Sequence, residues 1–265
     1  KNNVAVGHDA LSGNTTADEN TAIGKSALEA NTTGTANTAV GANALDANQT
    51  NSHNTAVGTN ALSASVADFN TAVGSNAGIL ITTGTENVAL GGNSLDANTT
   101  GSFNVAVGTS ALGGNTTASN NVAVGTNALV SNTTGDQNTA VGGASTDANT
   151  TGIRLTAIGY ESLTSNTTGD NNTALGHTSL SAVTTGSGNV GIGYGAGAAI
   201  DTGSQNVCIG QGAGDGINGD NGKWNVAIGL NALSASTATF QSTAVGQNAA
   251  NVNNANATSA FGSNC

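Results

Sequence analysis

A glycine recurs at a nearly constant interval from one end of the chain to the other, and this repeat constrains the fold more than any other feature. It closes a phrase of the form N-[TV]-A-[VI]-G, as in NTAVG at 54–58, and it occurs 16 times in 265 residues. Twelve of the 15 spacings between successive glycines are 17 residues, and the others are 16, 19 and 16. Such a period is typical of a solenoid, in which each repeat is one coil that buries its apolar face only against neighbouring coils. These repeat glycines are Gly7, Gly24, Gly41, Gly58, Gly74, Gly91, Gly108, Gly125, Gly142, Gly159, Gly176, Gly193, Gly210, Gly229, Gly246 and Gly262.

The residues around each repeat glycine, which we number as position 0, keep the same character from copy to copy. Position −1 is always apolar, position −2 is alanine in 14 copies, and position −4 is asparagine in 13. Position +3 is small and position +4 is leucine in 10 of 15 copies, before a turn phrase such as NTTG at 31–34. This pattern predicts a short strand, a tight corner, a second short strand and a looser turn.

We therefore predict an all-β fold, a parallel β-solenoid of about 16 coils that covers residues 1–265 as a single repeat domain. The chain begins and stops inside a repeat, so we expect it to be a fragment of a longer or processed chain. The absence of proline fits stacked coils, because interior N–H groups donate to the neighbouring coil. Asparagines at −4 are expected to stack as a ladder that satisfies their amide groups.

The repeats also predict a narrow, closely packed interior, with alanine at −2 facing the small residue at +3 and leucine at +4. Where position +4 is glycine, at Gly78, Gly197 and Gly214, the usual asparagine at +7 becomes isoleucine. Apolar volume lost at one position returns three residues later, which predicts that +4 and +7 share one space. Cys208 and Cys265 replace small interior residues, and we expect a buried free thiol at Cys208.

The strand is predicted to be covered on both faces. Side chains alternate across a strand, so positions −3 and −1 face away from −2. Both faces are apolar or small, and a lone rod would expose a stripe of aliphatic side chains at −1, which soluble monomers avoid. We expect another copy of the chain to cover positions −3 and −1. At −1, the predicted oligomer interface residues are Val6, Ile23, Val40, Val57, Val73, Leu90, Val107, Val124, Val141, Ile158, Leu175, Ile192, Ile209, Ile228 and Val245.

The charged residues of the chain limit the kinds of molecule that it can bind. Charged residues make up 7% of the chain, with 4 basic and 15 acidic side chains. This argues against binding of nucleic acid, which needs clustered lysine and arginine, and against attraction to anionic lipid. No apolar run approaches the ~20 residues of a membrane helix, so we expect no membrane insertion of this segment.

No motif indicates catalysis or a cofactor. The glycines of GDGING at 214–219 match G-x-G-x-x-G, but they do not stand between a strand and a helix. His8, His53 and His177 lie in distant repeats, which argues against a shared metal site. Because no Ser–His–Asp or paired-carboxylate arrangement is recognisable, we expect no catalytic residue, no cofactor and no enzymatic activity.

The one 19-residue spacing adds two residues near 215–224, where Asp215 and Asp220 are candidate ligands for Ca²⁺. A polar excursion at a turn accounts for the same residues without a metal. We favour that interpretation, because the spacing fits no EF-hand.

A few aromatic residues recur at fixed positions and are candidate ligand-binding residues. Phe69, Phe103 and Trp224 stand directly before position −4, and Tyr160 and Tyr194 follow the repeat glycine. Exposed aromatic rings can stack on sugars, and they can equally cover a neighbouring chain. Both interpretations stay open at this point.

The phrase N-[TV]-A-[VI]-G-x-x-[AS] resembles the head repeats of trimeric autotransporter adhesins, the YadA-like family, and related arrays in phage tail fibres. The resemblance extends over essentially all 265 residues. It implies a left-handed β-roll, three chains around one axis, aliphatic residues at the trimer interface and a role in surface attachment. The chain departs from the family in its 17-residue period, which is longer than the usual head repeat, and in having no recognisable stalk or membrane anchor in this segment.

The leading hypothesis is a non-enzymatic extracellular fibre segment, structural and adhesive, on a cell or virion surface, with a host-surface glycan or protein as receptor. A receptor-binding shaft of a phage tail fibre is an alternative. A further alternative is a filament whose subunits stack end to end through open solenoid ends. An ice-binding solenoid ranks last, because threonine at −3 alternates with valine.

Overall fold

The computed structural model describes residues 2–217, 219, 222–235, 240–251 and 259–265. The chain divides into two compact units, Lys1–Thr134 and Gly135–Cys265. Among the described residues, each unit contains eight three-residue strands, and within a unit each strand pairs in parallel with the next strand along the chain. The prediction of an all-β parallel β-solenoid with a 17-residue repeat is therefore confirmed.

In the first unit the strands are β1 (Val4–Val6), β2 (Thr21–Ile23), β3 (Thr38–Val40), β4 (Thr55–Val57), β5 (Thr71–Val73), β6 (Val88–Leu90), β7 (Val105–Val107) and β8 (Val122–Val124). In the second unit they are β9 (Thr139–Val141), β10 (Thr156–Ile158), β11 (Thr173–Leu175), β12 (Val190–Ile192), β13 (Val207–Ile209), β14 (Val226–Ile228), β15 (Thr243–Val245) and β16 (Ser259–Phe261). No helix long and apolar enough to cross a bilayer occurs in the part of the chain that the structure describes.

The register places equal repeat positions opposite one another. In β2 and β3, for example, Ala22 pairs with Ala39 and Ile23 pairs with Val40. Because one coil follows the next in register, each position of the repeat becomes a column of like residues within its unit. A side-chain amide or an aromatic ring that occurs at one repeat position can therefore recur in successive coils, at the spacing of stacked strands, about 4.8 Å.

The repeat glycine is required by both its conformation and its surroundings. Gly91 has φ of +139°, a region that residues with a side chain rarely adopt. A Cβ atom added to Gly91 would lie 2.5 Å from the carbonyl oxygen of Gly108 in the next coil. The corner after each strand can therefore pack against the next corner only if both residues are glycine.

The predicted second strand is wrong for the described coils, where a run of turns follows the repeat glycine. Positions +2 and +4 have left-handed φ, as at Asn43 (+54°) and Leu45 (+52°), and a strand cannot continue through such residues. The turns still connect the coils, because the N–H of Asn43 donates to the carbonyl of Lys25 (2.9 Å) and the N–H of Leu45 donates to that of Ala61 (3.1 Å).

The predicted asparagine ladder at −4 is present, and it joins both backbone and side-chain groups. The backbone N–H of Asn104 donates to Oδ1 of Asn87 (3.1 Å), and Oδ1 of Asn104 accepts the N–H of Asn121 (3.0 Å). The side-chain amide of Asn104 donates to Oδ1 of Asn87 (3.1 Å) and to the carbonyl of Ala118 (2.9 Å). A second ladder lies at +7, where Nδ2 of Asn48 donates to Oδ1 of Asn31 (3.0 Å). These contacts satisfy polar groups that the narrow coil removes from water.

The interior has the predicted composition. Between the first and the last coil, alanine at −2 and at +3 is buried, and so is leucine at +4. At Gly191, where −2 is glycine, an added Cβ would lie 2.7 Å from Cγ of Leu180, which shows that −2 and +4 face each other.

The volume exchange between +4 and +7 is confirmed. Ile81 is fully buried, and a Cβ added to Gly78 would lie 2.9 Å from its Cδ1 atom, so isoleucine occupies the space that leucine at +4 fills elsewhere. The same exchange explains how Cys208 fits at −2, because a Cβ atom on Gly214 would collide with the sulfur of Cys208. The larger residue at −2 is therefore accommodated by the missing side chain at +4.

We expect Gly91→Ala to destabilise the first unit by on the order of 3 kcal/mol, because the substitution combines an unfavourable φ with a backbone collision. Gly92→Ala is the matched control. Gly92 has an ordinary φ, and its added Cβ would lie 3.9 Å from the nearest atom, the carbonyl oxygen of Ser75. Thermal unfolding followed by circular dichroism compares the two variants. Equal stability of both would contradict the requirement for glycine at the corner.

Asn104→Ala is expected to cost about 2–4 kcal/mol, because the partners of a buried amide are left without hydrogen bonds. The control is Asn43→Ser, at an amide whose ladder contact with Asn60 is only partly buried; serine already adopts this conformation at Ser26 and Ser110. Unfolding midpoints in urea measure the difference. A loss at Asn104 no larger than that at Asn43 would contradict a structural role for the −4 ladder.

Candidate functional site

The outward strand face, formed by positions −3 and −1, presents partly exposed aliphatic side chains. Alanine at −2 is buried in the interior, whereas the side chains on either side of it remain partly accessible. In coils that have a neighbour on both sides, the exposed fraction at −1 is 40% at Ile23 and 45% at Ile158. Each unit thus presents valine, isoleucine and leucine in one column along its strands.

The predicted oligomer interface residues all lie on this face. Val6, Ile23, Val73 and Ile158 are exposed in the single chain. The other members of the set are half-buried: Val40, Val57, Leu90, Val107, Val124, Val141, Leu175, Ile192, Ile209, Ile228 and Val245. The covering of this face by another chain stays a prediction.

Aromatic rings at position +1 form a continuous stack in the second unit. His177 lies between Tyr160 and Tyr194, with ring centroids 5.5 and 5.3 Å away. Nδ1 of His177 also lies 3.3 Å from the hydroxyl of Thr178. A hydrogen bond with Glu161 raises the pKa of Tyr160. The three rings support one another at a surface where a lone side chain would be free to rotate.

A shorter stack lies at position −5 in the first unit. His53 and Phe69 are nearly parallel, with centroids 5.0 Å apart and planes inclined by 6°. Phe69, Glu86 and Val88 line a shallow depression of about 430 Å³. Phe103 occupies the same repeat position one coil beyond Glu86 and is half-exposed.

The remaining aromatic candidate is in the second unit. Trp224 contacts Phe240 edge to face, with centroids 5.1 Å apart, and keeps 48% of its surface exposed. All five aromatic candidates are therefore exposed at the surface, as either sugar stacking or contact with a neighbouring chain requires. Neither alternative is decided by this exposure.

Sequence reasoning missed the two histidines that complete the stacks. His53 and His177 were considered only as candidate metal ligands in distant repeats. The signal that finds them is the repeat itself, since His177 is 17 residues from both Tyr160 and Tyr194, and His53 is 16 residues from Phe69. In a stacked solenoid these spacings place rings in adjacent coils at the same position.

The structure describes only one of the two residues predicted as candidate calcium ligands. Asp215 is exposed, whereas Asp220 lies outside the described residues. Asp201, which the sequence did not single out, accepts the N–H groups of Thr202 (2.6 Å) and Gly219 (2.8 Å), and the bond from Thr202 chiefly lowers its pKa. Among the described residues, no group of three or more His, Cys, Asp or Glu side chains is placed to hold a metal ion.

The hydroxyl of the first threonine in the turn phrase is engaged within the chain. The hydroxyls of Thr32, Thr82 and Thr99 each donate to a backbone carbonyl one coil further on, at 3.0 Å. Threonines that order water at an ice-binding surface need hydroxyls that are free to bind that water. The ice-binding hypothesis therefore gains no support from the first threonine of the phrase, whereas the second threonine, as at Thr33 and Thr100, is exposed.

Neither the comparison with protein-family models nor the comparison with curated proteins gives a significant match to this chain. Function is therefore inferred from the fold and from side-chain geometry.

The two free cysteines are expected to differ in reactivity. Cys208 is fully buried, and burial raises the pKa of its thiol to about 12, so almost no reactive thiolate forms near pH 8. Cys265 is exposed. Titration with an aromatic disulfide reagent should detect one thiol in the native protein and both in denaturant. In a Cys265→Ser variant, rapid modification of the native protein would contradict the buried position of Cys208.

Proposed function

We propose that this chain is a non-enzymatic structural and adhesive fibre segment, displayed outside a bacterial cell or on a virion. In this proposal three copies associate side by side through positions −3 and −1. The resulting fibre attaches its bearer to a surface that carries a glycan or protein receptor.

The observation that best supports this proposal is the column of partly exposed aliphatic side chains at −1. Two isoleucines that are 45% and 40% exposed, at Ile158 and Ile23, belong to a position that is apolar in every copy. A surface that only faces water has no need for this restriction, since polar β-formers such as threonine would serve the strand equally well. Burial against another copy gives the restriction a physical reason, because apolar area removed from water contributes about 25 cal/mol per Å².

A second copy is the simplest partner, since a repeated surface is best matched by one with the same repeat. The chain carries 15 acidic and 4 basic side chains, so like-charge repulsion opposes association of copies, and burial of the apolar column has to outweigh it. The resemblance to YadA-like head repeats adds the expectation of three chains around one axis. A phage tail-fibre shaft would make the same demands on this surface and differs from an adhesin only in the particle that carries it.

The state of association tests the proposal. We expect sedimentation equilibrium to give the mass of a trimer for the wild-type chain. The double substitution Val107→Lys and Val124→Lys should give monomers, because each buried lysine would cost about 2 kcal/mol or more.

The matched control is Thr109→Lys with Thr126→Lys, two exposed residues at +1 of the same two coils. This control should remain trimeric. A monomeric wild-type chain, or equal dissociation of both double variants, would contradict an interface at the strand face.

A further inference from the structure

A gap interrupts one side-chain column in the second unit. Position +2 carries a side chain in most coils, and in the first unit its asparagines donate from one coil to the next, as from Asn43 to Asn60 (3.1 Å). Two consecutive coils of the second unit instead have glycine there, at Gly195 and Gly212. Two missing side chains at a coil spacing of about 4.8 Å leave about 10 Å of the column open.

The gap is a depression of about 280 Å³. Gly195 and Gly212 line it at position +2. Tyr194 and Gln211, at position +1, and Asp215, at position +5, also line it. The described residues that line it are Thr178, Tyr194, Gly195, Ala198, Gln211, Gly212, Asp215 and Asn231.

The backbone does not require glycine at these two positions. Gly195 and Gly212 both have φ of +61°, and asparagine adopts nearly the same φ at the same position in Asn60 (+57°) and Asn231 (+54°). A Cβ added to Gly195 would meet no atom within 4 Å. At Gly212 the nearest atom is the side-chain oxygen of Asn231, at 2.7 Å. The glycines therefore open space at the surface, unlike the repeat glycines, which the fold needs.

The lining combines one aromatic ring with several hydrogen-bonding groups. Tyr194 is 60% exposed, and its ring stacks on His177 at 5.3 Å, which holds it in place. Gln211 and Asn231 supply amides that both donate and accept, and Asp215 supplies a carboxylate that accepts. None of the described lining residues is positively charged, so an anionic ligand would meet Asp215 unpaired.

We propose that this depression binds a neutral saccharide, one or two pyranose units long. The apolar C–H face of a pyranose matches the ring of Tyr194, and its hydroxyls match the amides and the carboxylate, which a purely apolar ligand would leave unpaired. The site uses no residue of the strand face, so binding at the surface and association of copies are compatible. The inference rests on the proposed attachment role for its biological use, and it names the ligand class for that role.

The probes are the methyl glycosides of glucose, galactose, mannose and N-acetylglucosamine. Saturation-transfer difference NMR, followed by titration, should detect binding of at least one of them to the wild-type chain. Gly195→Asn fills the gap with a residue that the same backbone conformation already accepts elsewhere, and it should weaken binding by about tenfold or more. Tyr194→Ala should weaken binding to a similar extent, about tenfold, since the stacking surface is lost.

Tyr160→Ala is the matched control, because Tyr160 belongs to the same stack but lies outside the depression. Its affinity for the bound glycoside should equal that of the wild type. If Tyr194→Ala does not fold, Gly195→Asn decides the question. The proposal is overturned if none of the four glycosides binds the wild type, or if Gly195→Asn binds as well as the wild type does.

Sedimentation of the same samples separates this inference from the proposed function. A trimer that binds none of the glycosides overturns the saccharide site alone. A monomer that binds one of them, with loss in Gly195→Asn, overturns the trimer and supports the saccharide site.

Discussion

The close approach of successive repeat glycines is the contact on which the rest of the structure depends. The corner of each coil packs backbone against backbone, as Gly91 does on Gly108, and no side chain fits between them. This approach allows the N–H of Gly41 to donate to the carbonyl of Ile23 at 2.8 Å and keeps the strands in register. Register in turn converts each repeat position into a column.

A narrow interior follows from that geometry. The strand and the turn segment lie so close together that only alanine or a similarly small residue fits at −2, and the larger buried side chains lie mostly at +4 and +7. Ile81 opposite Gly78 and Cys208 opposite Gly214 show that space left by glycine at +4 is filled from a neighbouring position. With so little apolar volume, each coil also depends on buried amides such as Asn104, which link it to both neighbours.

Much of this fold could be predicted from the sequence, because the repeats substitute for an alignment. The parallel solenoid, the alanine interior, the ladder at −4 and the exchange of Gly78 with Ile81 all follow from comparing one copy with another. The second strand was predicted wrongly, because apolar residues at +3 and +4 resemble a strand, and nothing in the sequence reveals the left-handed φ of Leu45. The stack of Tyr160, His177 and Tyr194 was recoverable from the 17-residue spacing, whereas the depression beside it needed coordinates. The depression exists because Gly195 is not required by the backbone, whereas the repeat glycine Gly210 is. The sequence alone does not distinguish these two kinds of glycine.

The central claim is that the outward strand face is covered by other copies of the chain. Isotope-filtered NOE spectroscopy on a mixture of carbon-labelled and unlabelled chains tests it directly, because it reports only contacts between different molecules. The account predicts intermolecular NOEs between the methyl groups of valine, isoleucine and leucine at position −1. Absence of such NOEs, together with strong relaxation of the same methyl groups by a soluble paramagnetic probe, would show a face open to solvent and would contradict the account.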